Sequence, residues 1–235
     1  MSNSFSCSND FIALILYFDL LDGLIDKYNK NLIGEGFYNK FKKMDTSTPY
    51  FKILAQLYRI LIIYRNAFIH DKSRIKDFLS VEYEVERRGK KQRYTLAMNA
   101  RIAGIIKTLA NLLYRVSVTN SLYDECILCG LYTVLKSRED FRIFDGTGNT
   151  LADIKSQYCF YNPIRYWYET VFYPLSNTRF QVVTKAPLEN LANTYADSGI
   201  DYRIAYQGKR YRIPKEMLDA DHAIVIDRLP LWEEK

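Results

Sequence analysis

The stretch from Tyr50 to Ile69 constrains the fold of this chain most, because apolar residues occupy most of its positions. Residues such as Ile53, Leu57 and Ile60 recur around the whole helical wheel, which predicts a helix buried on most of its circumference. The preceding Thr46-Ser47-Thr48-Pro49 has the composition of a helix start. A helix of this kind needs other elements packed around it.

The far end of this helix is polar, with the sequence Tyr64-Arg65-Asn66-Ala67-Phe68-Ile69-His70-Asp71. Asn66 and His70 are four positions apart and share a helix face. Arg65 and His70 are five apart, so they converge only if the helix ends or kinks near His70, or if a symmetry mate supplies the second half of a site. Burying an unpaired Arg costs several kcal/mol, so this end must face water, a partner or a substrate.

The Arg65-Asn66-x-x-x-His70 pattern resembles the R-x(4-6)-H motif of the HEPN superfamily of ribonucleases, in which a polar residue, often Asn, follows the Arg. The resemblance covers roughly Asp10 to Lys136 in pattern and rests on three residues in identity. It implies an all-α bundle, a homodimer in which two motifs face each other, and RNA cleavage by a toxin of a toxin–antitoxin pair or a phage-defence effector. Some of these toxins carry a Tyr two residues after the His, which an antitoxin protein modifies; here that position is Lys72.

The resemblance also implies a role for each residue of the motif. The 2′-OH of RNA can act as the nucleophile, so cleavage needs no metal ion and no cofactor. His70 is expected to act as general base or acid, since histidine gains and loses a proton near neutral pH. Arg65 is expected to hold the scissile phosphate, and Asn66 to orient the His or the phosphate. The expected product ends are a 2′,3′-cyclic phosphate and a 5′-OH.

Two other interpretations of the same residues remain open. Arg65 could form an ion pair with Asp71 or Asp19 while His70 only ends the helix. The motif could also belong to a non-catalytic module that binds a protein partner or a nucleotide. The geometry of Arg65 and His70 separates these interpretations, because catalysis requires both side chains within reach of one phosphate.

A β-hairpin is predicted between the helices, over residues 80–98. Val81 to Glu86 alternates between apolar and charged residues, Gly89 marks a turn, and Arg93 to Met98 returns as the partner strand. Its glutamates are expected to pair with cations of the returning strand rather than hold a metal ion. The tip either grips the RNA backbone or is only solvated, and its candidate RNA-binding residues are Arg87, Arg88, Lys90, Lys91 and Arg93.

The remaining pattern completes the predicted fold. Helices are expected from about 10 to 30, 99 to 116 and 122 to 136, and a turn over Asp145–Asn149 marks a soft boundary. The fold class is therefore predicted as mainly α: a HEPN-like helical bundle over residues 1–145, followed by a small α+β extension over 146–235. Four strands are expected in this extension, at 180–184, 202–206, 210–213 and 223–226, and its tyrosines and arginines form either a stacking surface or a packed hairpin.

Composition narrows the class of partner. A formal net charge of +6 and a pI near 9.0 favour a polyanion such as RNA. Four cysteines are too few for a disulfide framework, and Cys126-x-x-Cys129 lacks the second pair that a zinc site needs, so both are expected in the core. The apolar run Phe11–Phe18 is too short to span a bilayer and follows no basic segment, so we expect a soluble, cytoplasmic protein without membrane contact.

Overall fold

The α+β architecture of the chain was obtained as a computed structural model, which describes residues 10–70, 74–76, 80–87, 89–144, 150–156, 165–184 and 199–234. These ranges contain five α-helices and eight β-strands. The predicted fold class, a mainly α bundle with a small extension, is wrong. The second half of the chain forms a five-stranded sheet with a hydrophobic core of its own, which is too large to be an appendage of a helical bundle.

The four helices predicted from the sequence are confirmed, and a further short helix lies between the first and the second of them. They are α1 (Asp10–Tyr28), α2 (Phe37–Lys43), α3 (Pro49–His70), α4 (Ala100–Thr119) and α5 (Leu122–Ser137). Side-chain caps fix several starts: Thr48 Oγ1 accepts from the Phe51 amide at 3.2 Å, and Asn99 Oδ1 accepts from the Ile102 amide at 2.9 Å.

Helix α3 forms the centre of the larger hydrophobic core, as its sequence predicts. Side chains on all its sides are buried, among them Ile53, Leu57 and Ile60, each 0% exposed. Aromatic contacts show that α1 runs antiparallel to α3: Phe11 meets Tyr64 at one end, and Phe18 stacks on Tyr58 near the middle. Helix α3 is enclosed along most of its length. Its last turns are less enclosed, and their polar residues Asn66 and His70 are exposed.

The predicted hairpin is confirmed. Strands β1 (Ile75–Lys76), β2 (Ser80–Arg87) and β3 (Lys90–Leu96) form a sheet in that order, with Gly89 at a φ of +71° in the turn. The glutamates pair with cations of β3, as predicted: Arg93 lies 3.3 Å from Glu84 and 3.8 Å from Glu82. Strand β2 packs against α3, so the hairpin borders the end of the helix.

The C-terminal sheet consists of β4 (Arg165–Pro174), β5 (Arg179–Thr184), β6 (Gly199–Tyr206), β7 (Lys209–Pro214) and β8 (Ala223–Val225). Its order is β7-β6-β4-β5-β8; β4 pairs in parallel with β6, and the other pairs are antiparallel. The four predicted strands are confirmed, whereas β4, at the centre of the sheet, was not predicted. Of the two alternatives for the tyrosines of this region, a stacking surface or a packed hairpin, Tyr202 and Tyr211 follow the second, since both are buried in the sheet's core.

A buried charge cluster joins this sheet to the helices. Asp201 on β6 is 0% exposed and accepts hydrogen bonds from Arg165 on β4 at 2.7 Å and from Arg212 on β7 at 2.9 Å. The hydroxyl of Tyr123 on α5 also donates to Asp201. Burial and the adjacent carboxylate raise the pKa of Tyr123, so the phenol stays protonated and remains a donor.

Three further predictions concern the cysteines, the turn over residues 145–149 and the absence of a membrane span. Cys126 and Cys129 are buried on α5, as predicted. The turn expected over residues 145–149 lies outside the described residues. Within the described ranges, none of the helices is both long and apolar enough to cross a membrane.

Candidate active site

Arg65 and His70 meet at the end of α3. The helix ends at His70, and Nη1 of Arg65 lies 3.3 Å from Nε2 of His70. The sequence predicts that these side chains converge if the helix ends near His70, and this condition is met. A single chain therefore brings the cation and the imidazole of the motif to one point.

The contact joins a donor group to a ring nitrogen. A guanidinium group carries only donors, whereas the role of Nε2 of His70 depends on the tautomer of the ring. A phosphate held by Arg65 would lie next to this imidazole, the side chain that most often transfers protons in catalysis.

Asn66 completes the motif at the surface. Its Oδ1 lies 3.5 Å from Nη1 of Arg65, and both Asn66 and His70 are exposed. Arg65 forms no ion pair with Asp19 or with any other described residue, so the alternative of a pairing with Asp19 is not supported; Asp71 lies outside the described ranges. The motif is therefore accessible to an external anion.

The guanidinium of Arg65 contacts two aromatic rings, those of Phe18 on α1 and Phe37 on α2, rather than a carboxylate. We call these two rings the aromatic shelf. The Cζ atom of Arg65 lies 4.8 Å from the ring centroid of Phe37 and 5.8 Å from that of Phe18. The two rings pack edge to face with centroids 4.9 Å apart. A cation–π contact holds the guanidinium without a carboxylate, so its N–H groups are not taken up by an ion pair and can bind an anion.

A buried ion cluster anchors α2, which carries Phe37. Nζ of Lys40, 3% exposed, lies 3.0 Å from Asp22 and 2.7 Å from Asp26, both on α1. Burial opposes the charge on Lys40, but its hydrogen bonds to Asp26 and Asp22 outweigh burial and raise its pKa. Tyr58 of α3 also donates to Asp22. A helix of seven residues is not stable alone, so these contacts fix α2 and with it the aromatic shelf.

A cavity of about 490 Å³ opens beside the motif. It lies between α2, the last turns of α3 and strand β2, and its wall includes both Asn66 and His70. The cavity places the imidazole of His70 next to a space large enough for part of a substrate.

The candidate RNA-binding residues of the hairpin differ in exposure and in ion pairing. Lys90, Lys91 and Arg93 are exposed, and Arg93 pairs with glutamates that border the cavity. Arg87 ends β2, while Arg88 lies outside the described residues. The hairpin is thus beside the motif, but Lys91 and Arg93 are partly neutralised by the glutamates of β2.

The motif is evident in the sequence, whereas the residues that hold Arg65 in position are not. Phe18, Phe37 and Lys40 come from other helices and meet Arg65 only in the folded chain. A possible signal was the dense mixture of aromatic and basic residues in Phe37–Lys43, which reads Phe-Tyr-Asn-Lys-Phe-Lys-Lys. The part of the chain that the structure describes has no group of three His, Cys, Asp or Glu side chains placed to hold a metal ion.

Comparisons with protein family models, with curated proteins and with solved structures give no match to this chain.

Proposed function

We propose that the chain is an RNA endonuclease of the HEPN type that needs no metal ion and uses Arg65 and His70. The observation that carries the proposal is the 3.3 Å contact between Nη1 of Arg65 and Nε2 of His70 at an accessible helix end. Few structural roles explain an arginine that rests on two aromatic rings, pairs with no described carboxylate and meets the ring of a histidine. Binding and cleaving a phosphodiester explains all three features.

The proposed reaction follows from these positions. His70 accepts the proton of the 2′-OH, whose oxygen attacks the adjacent phosphorus, and the bond from phosphorus to the 5′-oxygen breaks. The in-plane donors of Arg65 bind the phosphate oxygens as negative charge grows on them. The leaving 5′-oxygen takes a proton, and the products are a 2′,3′-cyclic phosphate and a 5′-OH.

A homodimer would supply the acid for the second half of this reaction. His70 of the partner subunit, in its protonated form, would give its proton to the leaving oxygen, so that two identical chains provide both a base and an acid. Exposed apolar side chains on the two helices that form the site support such an interface: Ile12 and Leu16 on α1 and Ile69 on α3 are 48%, 39% and 47% exposed. An antitoxin protein remains a further proposed partner, on the resemblance alone.

Arg65 variants test the proposal. Cleavage of mixed single-stranded RNAs in excess EDTA is expected to fall about 100-fold or more in Arg65→Ala, because one donor to a developing oxyanion contributes roughly 10²- to 10³-fold. Arg65→Lys should recover only a small part of this, since an ammonium group cannot bind two phosphate oxygens in parallel. The readout is the initial rate on a denaturing gel.

Arg228→Ala is the matched control, since Arg228 is exposed and lies in the C-terminal 3-10 helix far along the chain from the motif. This variant should cleave at the wild-type rate. Undiminished cleavage by Arg65→Ala would place the active site elsewhere. No cleavage by the wild type on any RNA would favour the non-catalytic module that binds a protein partner or a nucleotide.

A further inference from the structure

The cavity beside His70 has an apolar inner wall. On α3 this wall consists of Ile62, Ile63 and Ala67, one and two turns before His70. Tyr38 of α2 also lines the cavity and is 52% exposed, and Arg74 and the carboxylates of Glu82 and Glu84 complete the lining. Carboxylates and apolar side chains do not suit a phosphate inside the cavity, whereas the apolar wall and the aromatic ring suit a flat aromatic group.

Tyr38 also carries a cation. Nζ of Lys42 lies 4.6 Å from the centroid of the Tyr38 ring. Its neighbours Lys40 and Lys43 pair with carboxylates of Asp22, Asp26 and Glu35, whereas Lys42 has no ion pair with a described residue. The mouth of the cavity therefore presents an aromatic surface beside an unneutralised positive charge, the combination by which proteins hold single-stranded nucleic acid.

The size of the space fits one nucleotide rather than a water molecule or an ion. A second cavity of about 250 Å³ continues from the first, and Tyr38, Ile62 and Ile63 line both. The two spaces together fall within the range of pockets that enclose a small organic ligand.

We propose that this cavity binds the nucleobase adjoining the scissile phosphate, stacked on Tyr38, while Lys42 contacts a neighbouring phosphate of the same RNA strand. The inference rests on the proposed function, because Arg65 and His70 place the scissile phosphate at the cavity's edge. The cavity then sets which nucleotide lies next to the cut. The unneutralised charges of Arg65 and Lys42 complement a strand that carries one negative charge per nucleotide.

The test measures binding separately from cleavage. A fluorescent single-stranded RNA with 2′-O-methyl groups, which cannot be cut by attack of its 2′-oxygen, is titrated with the full-length protein and followed by anisotropy. Tyr38→Ala should weaken the Kd about 5- to 100-fold, as expected for loss of one base–aromatic stack. Tyr38→Phe, which keeps the ring, should bind within about twofold of the wild type. Lys42→Gln should bind several-fold more weakly and show a smaller dependence on salt.

Two control variants come from the same chain. Tyr114→Ala removes a tyrosine of α4 that is 41% exposed, and Lys43→Gln removes a lysine of α2 that already pairs with Glu35. Both should bind RNA nearly as well as the wild type. Melting temperatures of all variants verify that the fold is retained.

The outcomes separate this inference from the proposed function. Wild-type binding by Tyr38→Ala, or no binding by the wild type itself, overturns the inference whether or not RNA is cut. Binding that depends on Tyr38, with no cleavage of unmodified RNA, supports the cavity and contradicts the nuclease. If Tyr38→Ala cleaves unmodified RNA at the same rate and the same positions as the wild type, the proposed function stands and the role of the cavity in it is contradicted.

Discussion

His70→Ala is expected to slow RNA cleavage by about 10²- to 10⁴-fold, the usual contribution of a general acid–base residue. The variant keeps Arg65 on its aromatic shelf, so the phosphate still binds, but nothing at the Nε2 position accepts the proton of the 2′-OH. RNA binding should therefore change far less than the rate. Because His70 is exposed and ends its helix, the melting temperature should stay close to that of the wild type.

The control for this variant is the second histidine of the chain. His222 is exposed and has a φ of +52°, a conformation that Asn tolerates well, so His222→Asn should fold and cleave normally. Equal losses in both variants would indicate a general effect of removing histidine. A His70→Ala protein that cleaves at the wild-type rate would contradict the assignment of His70.

Asp201→Ala is expected to destabilise the chain by about 3–5 kcal/mol, since removing one partner of a buried ion cluster leaves a charge uncompensated in the interior. The side chain of Arg165 is 2% exposed and would lose the carboxylate at 2.7 Å, while it keeps its contacts with Glu216 and the carbonyl of Ile200. Arg212 and Tyr123 would lose an acceptor at the same time. Urea unfolding followed by circular dichroism measures the change in the free energy of unfolding.

Asp153→Ala serves as the matched substitution. Asp153 pairs with Lys136, but its side chain is 85% exposed, so its loss should change the free energy of unfolding by less than about 1 kcal/mol. Asp201→Asn should fall between the two, because the amide retains one hydrogen-bond acceptor but lacks the charge. If Asp201→Ala lowers the free energy of unfolding as little as Asp153→Ala does, the cluster is hydrated rather than buried.

The helices and the hairpin were predictable because their signals are local. The apolar positions of α3, the cap before Pro49 and the alternation of Val81–Glu86 each lie within one element. The convergence of Arg65 and His70 was predictable in the same way, since it depends only on where one helix ends.

The fold class was missed in part because β4 lacks the alternation of a half-buried strand, although its aromatic and β-branched residues favour a strand. Its sequence, Arg-Tyr-Trp-Tyr-Glu-Thr-Val-Phe-Tyr-Pro, places large side chains at consecutive positions rather than alternate ones. The side chains of Arg165 and Thr170, five positions apart and so on opposite faces of the strand, are both buried. The parallel pairing of β4 with β6 is also a long-range contact. Parallel strands are not joined by a tight turn, so no turn sequence indicates this pairing.

The supports of the active site were missed for the same physical reason. Phe18 and Phe37 lie on different helices from Arg65, and Lys40 reaches back to α1. Each looks like an ordinary core or surface residue in the sequence. Only packing shows that an aromatic shelf takes the place of a carboxylate beneath the guanidinium.

The most direct test of the central claim is the chemistry of the RNA ends after cleavage in excess EDTA. One oligonucleotide is all ribose, and a second carries a single 2′-deoxy nucleotide immediately 5′ of the cleaved bond; mass spectrometry identifies the products of each. We expect the first to give a 2′,3′-cyclic phosphate and a 5′-OH, and the second to remain uncut at that bond. Cleavage that stops on chelation, or ends that carry a 3′-OH and a 5′-phosphate, would contradict a metal-independent site built from Arg65 and His70.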